Sequence, residues 1–276
     1  MNEGRITVLV ENTAGGQGLL AEHGLSFWIE LGSRRILFDT GQGSVLSSNA
    51  RKLGVRLQLA DAIVLSHGHY DHTGGMADAL GAAWKTKVYA HPAAFSPKFA
   101  RQADGRGRDI GMPLLDEKRV RERAELIWTE SPTEIIEGLR LTGPVPRVTD
   151  FEDVGGSFFT DRDCTQPDAL VDDQAAFVET PAGTVVILGC AHAGVINTLR
   201  YVQALTANRP IHTVIGGMHL LSASAERMNR TVAELRRLDV QRLLPCHCTG
   251  FAATARLWNE FPCRCVACPV GAVLAL

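Results

Sequence analysis

Three histidines and an aspartate fall within six residues in the run Ser66-His67-Gly68-His69-Tyr70-Asp71-His72-Thr73-Gly74-Gly75. Imidazoles this close in an extended loop can face one divalent ion, and the Asp71 carboxylate adds a hard oxygen ligand suited to zinc, iron or manganese. Few other tasks call for these residue types together, and a chance polar loop would rarely also bring the acid and the two glycines. The chemistry is activation of water. A divalent ion lowers the pKa of its water from about 15.7 toward 7, making hydroxide available near neutral pH, and polarises a carbonyl or phosphoryl oxygen. Asp71 is the candidate catalytic residue, as a metal ligand or as the group that orients the water and takes its proton.

Such a loop has to be held by regular structure. Asp61-Ala62-Ile63-Val64-Leu65 reads as a buried strand running into it, and a helix is expected near Met76 to Leu80. The same arrangement, an apolar strand followed by a histidine loop and a helix, recurs three times. Thr184 to Leu188 leads to Cys190-Ala191-His192 and a helix from Val195, with Gly194 and Asn197 near its start. Thr213-Val214-Ile215 leads to Gly216-Gly217-Met218-His219 and a helix around Ala225 to Leu238, with Met228, Val232, Leu235 and Leu238 at helical spacing. Gln241 to Pro245 leads to Cys246-His247-Cys248 and a helix near Ala252 to Phe261. Loops at the carboxyl ends of strands in an α/β sheet open into a shared crevice. Four segments far apart in sequence can therefore build one site, with His67, His69, Asp71, His72, His192, His219 and His247 as candidate metal ligands.

The opening stretches Arg5 to Val10, Leu25 to Leu31 and Arg35 to Phe38 read as strands, followed by a helix around Val45 to Leu53 and a later strand at Val88 to Ala90. The alternation is α/β, and one domain over residues 1–276 is expected. From about Ser96 to Asp173 the pattern breaks, with Pro132, Pro144, Pro146, Pro167 and the pair Gly155-Gly156, and reads as an inserted cap. Arg119, Arg121 and Arg123 within it read as a solvated helix face.

With 276 residues, 45% hydrophobic and 21% charged, the chain can bury a substantial core. A formal net charge of -2 gives no electrostatic footprint for nucleic acid or an anionic membrane, so a small neutral or anionic molecule is the expected partner. No apolar run reaches membrane-spanning length. The start Met1-Asn2-Glu3-Gly4-Arg5 lacks the basic and apolar pattern of a secretory leader, so the expected location is cytoplasmic, with the seven cysteines as thiols.

Other residues carry less. Asp39, ending a strand before Thr40-Gly41, suits either an acceptor for a ligand imidazole or a turn cap. Glu11, Asn12, Asp172 and Asp173 are loop residues placed for substrate contact. His23, His91 and His212 read as structural, and Cys190 reads as a small buried hydrophobe. Cys263, Cys265 and Cys268 form a compact thiol cluster, short of a fourth thiolate unless Cys164 or Cys248 joins it.

With the His-x-His-x-Asp-His loop and the later single histidines in place, the chain resembles the metallo-β-lactamase superfamily over nearly all its length. The resemblance implies a four-layer αββα sandwich with the metal site along one edge of the packed sheets. It also implies that His67, His69 and His192 hold a first ion while Asp71, His72 and His247 hold a second. The stretches Leu9-Val10-Glu11-Asn12, Ala21-Glu22-His23-Gly24-Leu25-Ser26, Leu37-Phe38-Asp39-Thr40-Gly41-Gln42, Asp172-Asp173-Gln174-Ala175, Gly189-Cys190-Ala191-His192-Ala193-Gly194 and His247-Cys248-Thr249-Gly250 are similar to a subgroup called dihydropteroate-synthase-like, or dihydropterin-methyl-ribofuranosylaminobenzene phosphate synthase. That similarity implies a pterin or phosphorylated aromatic substrate. One departure stands out: the superfamily's bridging aspartate follows the third motif, where this strand ends in Gly216-Gly217-Met218-His219 with no acid. His219 is then a replacement ligand, a substrate contact or an ordinary loop histidine.

The leading expectation is a metal-dependent hydrolase of a small ester, amide or phosphoester, using zinc as one or two ions, with manganese or iron also compatible. The alternatives are a transferase joining a pterin diphosphate to a phosphorylated aromatic acceptor, and a non-catalytic metal-containing binder of a small ligand.

Overall fold

The computed structural model describes residues 4–83, 85–113 and 115–276, so Met1-Asn2-Glu3 lie outside the described residues. The chain divides into two compact units. The first takes residues up to Glu130 together with Phe158–Asp168 and Pro269–Leu276, and the second takes Ser131–Ser157 and Ala169–Cys268.

The first unit is built on a seven-stranded sheet ordered Val273–Ala275, Gly4–Val10, Ser26–Leu31, Arg34–Phe38, Ala62–Val64, Lys87–Ala90 and Glu125–Trp128. Pairing is antiparallel as far as Arg34–Phe38 and parallel beyond it. The change of direction has a cause in the connections. Ser26–Leu31 and Arg34–Phe38 are joined by the two residues Gly32-Ser33, enough for a hairpin, whereas parallel neighbours need a crossover. The helices Leu46–Lys52, Met76–Ala82 and Glu117–Arg121 lie in those crossovers. Leu9, Trp28, Leu37, Ile63 and Val88 share a core with Leu46, Met76 and Leu80, and the alternate residues Phe27, Ile29, Ile36, Phe38 and Val64 are buried as well. Burial of both faces is why these strands read as continuous apolar runs.

The second unit has a six-stranded sheet ordered Arg242–Cys246, Ile211–Gly217, Gly183–Leu188, Ala176–Thr180, Leu139–Leu141 and Thr133–Ile136. The first three strands are parallel and run into the helices Phe251–Glu260, Ala225–Arg237 and Val195–Leu205. Met228, Val232, Leu235 and Leu238 are all buried, as their spacing predicts. Ser224 caps the helix Ala225–Arg237 by accepting from Arg227 N at 3.1 Å, and Pro245 sits in an edge strand, where its missing N–H costs no ladder bond.

The span from about 96 to 173 contributes to both units. Glu125–Trp128 joins the first sheet, Thr133–Ile136 and Leu139–Leu141 join the second, and Phe99–Arg101 pairs with Gly107–Asp109 and Phe158–Phe159 in a small antiparallel sheet of the first unit. Strands of two or three residues carry too little periodicity to be read in sequence. Lys98, buried beside this small sheet, pairs with Asp168 at 3.1 Å. Among the described residues no helix is long and apolar enough to cross a membrane.

Candidate metal centre

In the first unit the strand Ala62–Val64 delivers Ser66, His67, His69, Asp71 and His72 to one place, all buried. The anchor is Asp39, which follows Arg34–Phe38 on the neighbouring strand with φ 57°. Its Oδ1 accepts from Ser66 N at 2.7 Å, and its Oδ2 accepts from Ser66 Oγ at 2.7 Å and lies 2.7 Å from His72 Nδ1. These contacts set the ring tautomers. The carboxylate can only accept, so His72 carries its proton on Nδ1 and turns the Nε2 lone pair outward. The Ser66 hydroxyl hydrogen is committed to Asp39, so its oxygen accepts from His67 Nδ1 at 2.9 Å and leaves His67 Nε2 as the lone pair.

His67 Nε2 and His69 Nδ1 are 3.1 Å apart, and the ring centroids of His67 and His72 are separated by 4.3 Å. Two nitrogens bound to one tetrahedral zinc at about 2.0–2.1 Å would stand about 3.3 Å apart, so the pair fits a shared small ion. Asp71 Oδ2 lies 3.9 Å from His72 Nε2 and 3.2 Å from His23 Nε2. His23 was expected to be structural, yet it is the carboxylate's partner. The Phe158 ring lies 5.2 Å from that of His69 and gives the loop an apolar neighbour.

In the second unit the parallel strand ends bring His192, His219 and His247 together with Cys190 and Cys248. Ligand atoms of Cys190, His192 and His219 lie within 4.8 Å of one another, and so do those of Cys190, His247 and Cys248. His192 Nδ1 donates to Val154 O at 2.9 Å, leaving Nε2 as its lone pair, while His219 Nε2 donates to Gly155 O at 3.2 Å, leaving Nδ1. The two rings are 4.2 Å apart. Ala191, His219 and His247 all have positive φ, at 53°, 47° and 50°. Backbone held in this region by non-glycine residues collects where a site demands it.

The charges around these groups are perturbed. Burial pushes the Asp173 carboxyl up to about 6, against the lowering effect of the backbone N–H groups of Ala193 and His192. Burial works against the charged form of His219, but the neighbouring Cys248 raises it overall. Burial likewise opposes the Cys248 thiolate, but hydrogen bonding to Cys190 and the nearby His219 hold the thiol well below its usual range.

Supporting residues that the sequence did not single out lie around His192. Glu152 accepts from Ile196 N and Asn197 N, both at 2.8 Å, at the start of the helix Val195–Leu205, and Arg147 donates to His192 O at 2.8 Å. Their only signal was position in an irregular stretch. Other expectations resolve locally. Glu11 accepts from Thr13 N at 2.6 Å within its own turn, Asn12 accepts from Gly24 N at 3.3 Å and so ties two loops together, and Asp172 and Asp173 are buried. His91 accepts from Ala93 N at 3.1 Å and His212 Nδ1 lies 2.8 Å from Thr213 Oγ1, both structural contacts. Among the described residues no metal-capable group includes Cys263, Cys265 or Cys268.

Comparison with known proteins places the chain in a family. Residues 20–247 match the model of a family described as the metallo-beta-lactamase superfamily. An uncharacterized protein of Methanocaldococcus jannaschii is 34% identical over 91% of this chain and 93% of its own length. A second protein of that organism, named 7,8-dihydropterin-6-methyl-4-(beta-D-ribofuranosyl)-aminobenzene-5'-phosphate synthase, is 28% identical over 93% of this chain and 91% of its own. The crystal structure of a protein described as a metal-dependent hydrolase of the beta-lactamase superfamily superposes with a TM-score of 0.84 at 33% identity, covering 99% of each chain.

Proposed function

The chain belongs to the metallo-β-lactamase superfamily, and from that premise we propose that it is a cytoplasmic metal-dependent hydrolase of a small ester, amide or phosphoester. The observation that carries the reading is the pair His67 Nε2 and His69 Nδ1, 3.1 Å apart, in a loop whose His67 and His72 tautomers are fixed by Ser66 and Asp39. Lone pairs prepared in this way are useful to a cation and to little else. In this proposal His67, His69 and His192 hold one divalent ion, and Asp71, His72 and His247 hold a second, with His219 beside them. Zinc is the first choice for an imidazole-rich set, and manganese or iron would also suit the carboxylate.

When bound, the metal supplies a water of lowered pKa and a Lewis acid for the substrate's carbonyl or phosphoryl oxygen. The chain's own residues supply the rest. Asp71 would bind the second ion or, with that position empty, orient the water and take its proton, and His23 Nε2, 3.2 Å from Oδ2, fixes the direction of the carboxylate. Ser66 and Asp39 keep the ligand rings from rotating. The half-buried Phe158 ring beside His69 is an apolar neighbour placed to limit the access of bulk water to the loop.

A second reading, favoured by the name of the 28% identical relative, is transfer of a pterin diphosphate to a phosphorylated aromatic acceptor. The deciding experiment begins with metal content per chain after purification without chelator or added metal. It continues with ester, amide and phosphoester panels beside a two-substrate assay for released diphosphate. One or two equivalents of metal with turnover of a single substrate support the hydrolase. Diphosphate released only when both substrates are present supports the transferase, and a metal-free protein overturns both.

A further inference from the structure

We infer that Cys190 and Cys248 are sulfur ligands of the metal centre, with Cys248 supplying the negative charge that is missing at the end of the strand Ile211–Gly217. The inference rests on the reading of the histidines as metal ligands, because His247 belongs to both sets.

Two groups in the second unit have ligand atoms all within 4.8 Å of one another, and Cys190 is common to them: one adds His192 and His219, the other His247 and Cys248. Neither group contains a carboxylate. Neutral imidazoles alone leave a divalent ion's charge uncompensated in a buried place, which is costly. Thiolates remove that cost. Atoms bound to one tetrahedral zinc, at about 2.0–2.3 Å, stand about 3.3–3.8 Å apart, so these groups close on an ion with small side-chain movements. A set of two sulfurs and imidazole nitrogen is one that zinc favours.

Gly217 shows why the sulfur belongs there. A Cβ added to Gly217 would lie 2.5 Å from Cys248 Sγ and 2.5 Å from Gly189 O. The thiol therefore takes the space that a side chain at position 217 would need. Gly217 N donates to Gly189 O at 3.0 Å and Gly217 pairs with Cys246 across the parallel ladder, so the three strand ends are locked in the register that puts Cys248 beside Cys190. The Cys248 thiol donates to Cys190 O at 3.6 Å. As each sulfur–metal bond forms, its S–H proton leaves to the buffer, with no change of oxidation state.

The test uses the whole chain loaded with Co2+. Visible ligand-field bands report that cobalt is bound, and a near-ultraviolet thiolate-to-cobalt charge-transfer band reports sulfur in its coordination shell. The inference expects both bands in the wild type. Cys248→Ser and Cys190→Ser should each weaken the charge-transfer band while the visible bands remain, and Cys263→Ser, at an exposed thiol, should leave both unchanged. Visible bands without charge transfer, or a charge-transfer band that survives both substitutions, overturn the sulfur assignment and leave the histidine reading standing. Failure to bind cobalt at all overturns both. X-ray absorption at the zinc edge of the wild type needs no variant to fold: a shell at about 2.3 Å is expected, and a single shell at about 2.0–2.1 Å refutes the assignment.

Discussion

Asp39 accepts on two oxygens from three groups, Ser66 N, Ser66 Oγ and His72 Nδ1, each at 2.7 Å. Because Asp39 is fully buried, no water can replace a lost acceptor, and an Asn there would present an amide N–H to a group that also donates. Asp39→Asn should weaken metal binding by about 10–100-fold while leaving the fold intact. Competition against a chromophoric chelator measures this, and unchanged affinity would reduce Asp39 to a turn cap. Asp71 makes a sharper case, since the proposal gives it the proton. Asp71→Asn should lower kcat by about 10²–10⁴-fold while an ion stays on His67, His69 and His192, and turnover at the wild-type rate would remove its catalytic role. Among these residues the candidate ligands were legible in the sequence because their types and spacing are rare together. His23 was not, because Asp71 lies far along the chain and only the folded loop brings Nε2 to 3.2 Å from Oδ2.

Among the elements, the helix Val195–Leu205 follows directly on His192, and its first turn is held from outside by Glu152. Burial raises the Glu152 carboxyl above its usual value, opposed by the N–H donors of Ile196 and Asn197. A carboxyl with a raised folded-state pKa stabilises the fold most below its unfolded pKa and loses that contribution as pH rises through the folded value. The contribution of Glu152 should therefore be lost as pH rises from about 4.5, and denaturant titrations of wild type and Glu152→Gln should differ by a stability term that declines over that rise. Glu152→Ala removes the acceptors and should cost about 0.5–2 kcal/mol at every pH. The strands before His67, His192, His219 and His247 were legible because each is an apolar run that stops at a polar loop. The two-residue strand Phe158–Phe159 and the outer strand Val273–Ala275, which pairs with Gly4–Val10, were not, because their pairing is non-local and leaves almost no periodic trace.

For the whole molecule, each unit has its own apolar cluster, so removing a donor from either should spare the core. His67→Ala, in the first unit, and His192→Ala, in the second, should each strip the ion and abolish activity. Their denaturant slopes, which scale with the surface exposed on unfolding, should stay close to the wild-type value. Full metal retention in both variants would refute the ligand assignment. The break from 96 to 173 was visible in the sequence, but its distribution over three sheets was not, since proline and glycine mark where regular structure stops without marking which sheet takes the next strand. The parallel register that aligns Leu188 with Gly216 and Gly217 with Cys246 has a consequence for how such a chain can change length. Side chains alternate faces along a strand, so one inserted residue before His219 would turn the donors beyond it to the opposite side. The exposed turn Gln102–Arg106 between two short strands carries no donor. Libraries that vary loop length to alter what the enzyme accepts should therefore open the chain at that turn and keep the residue count of the donor-bearing strands fixed.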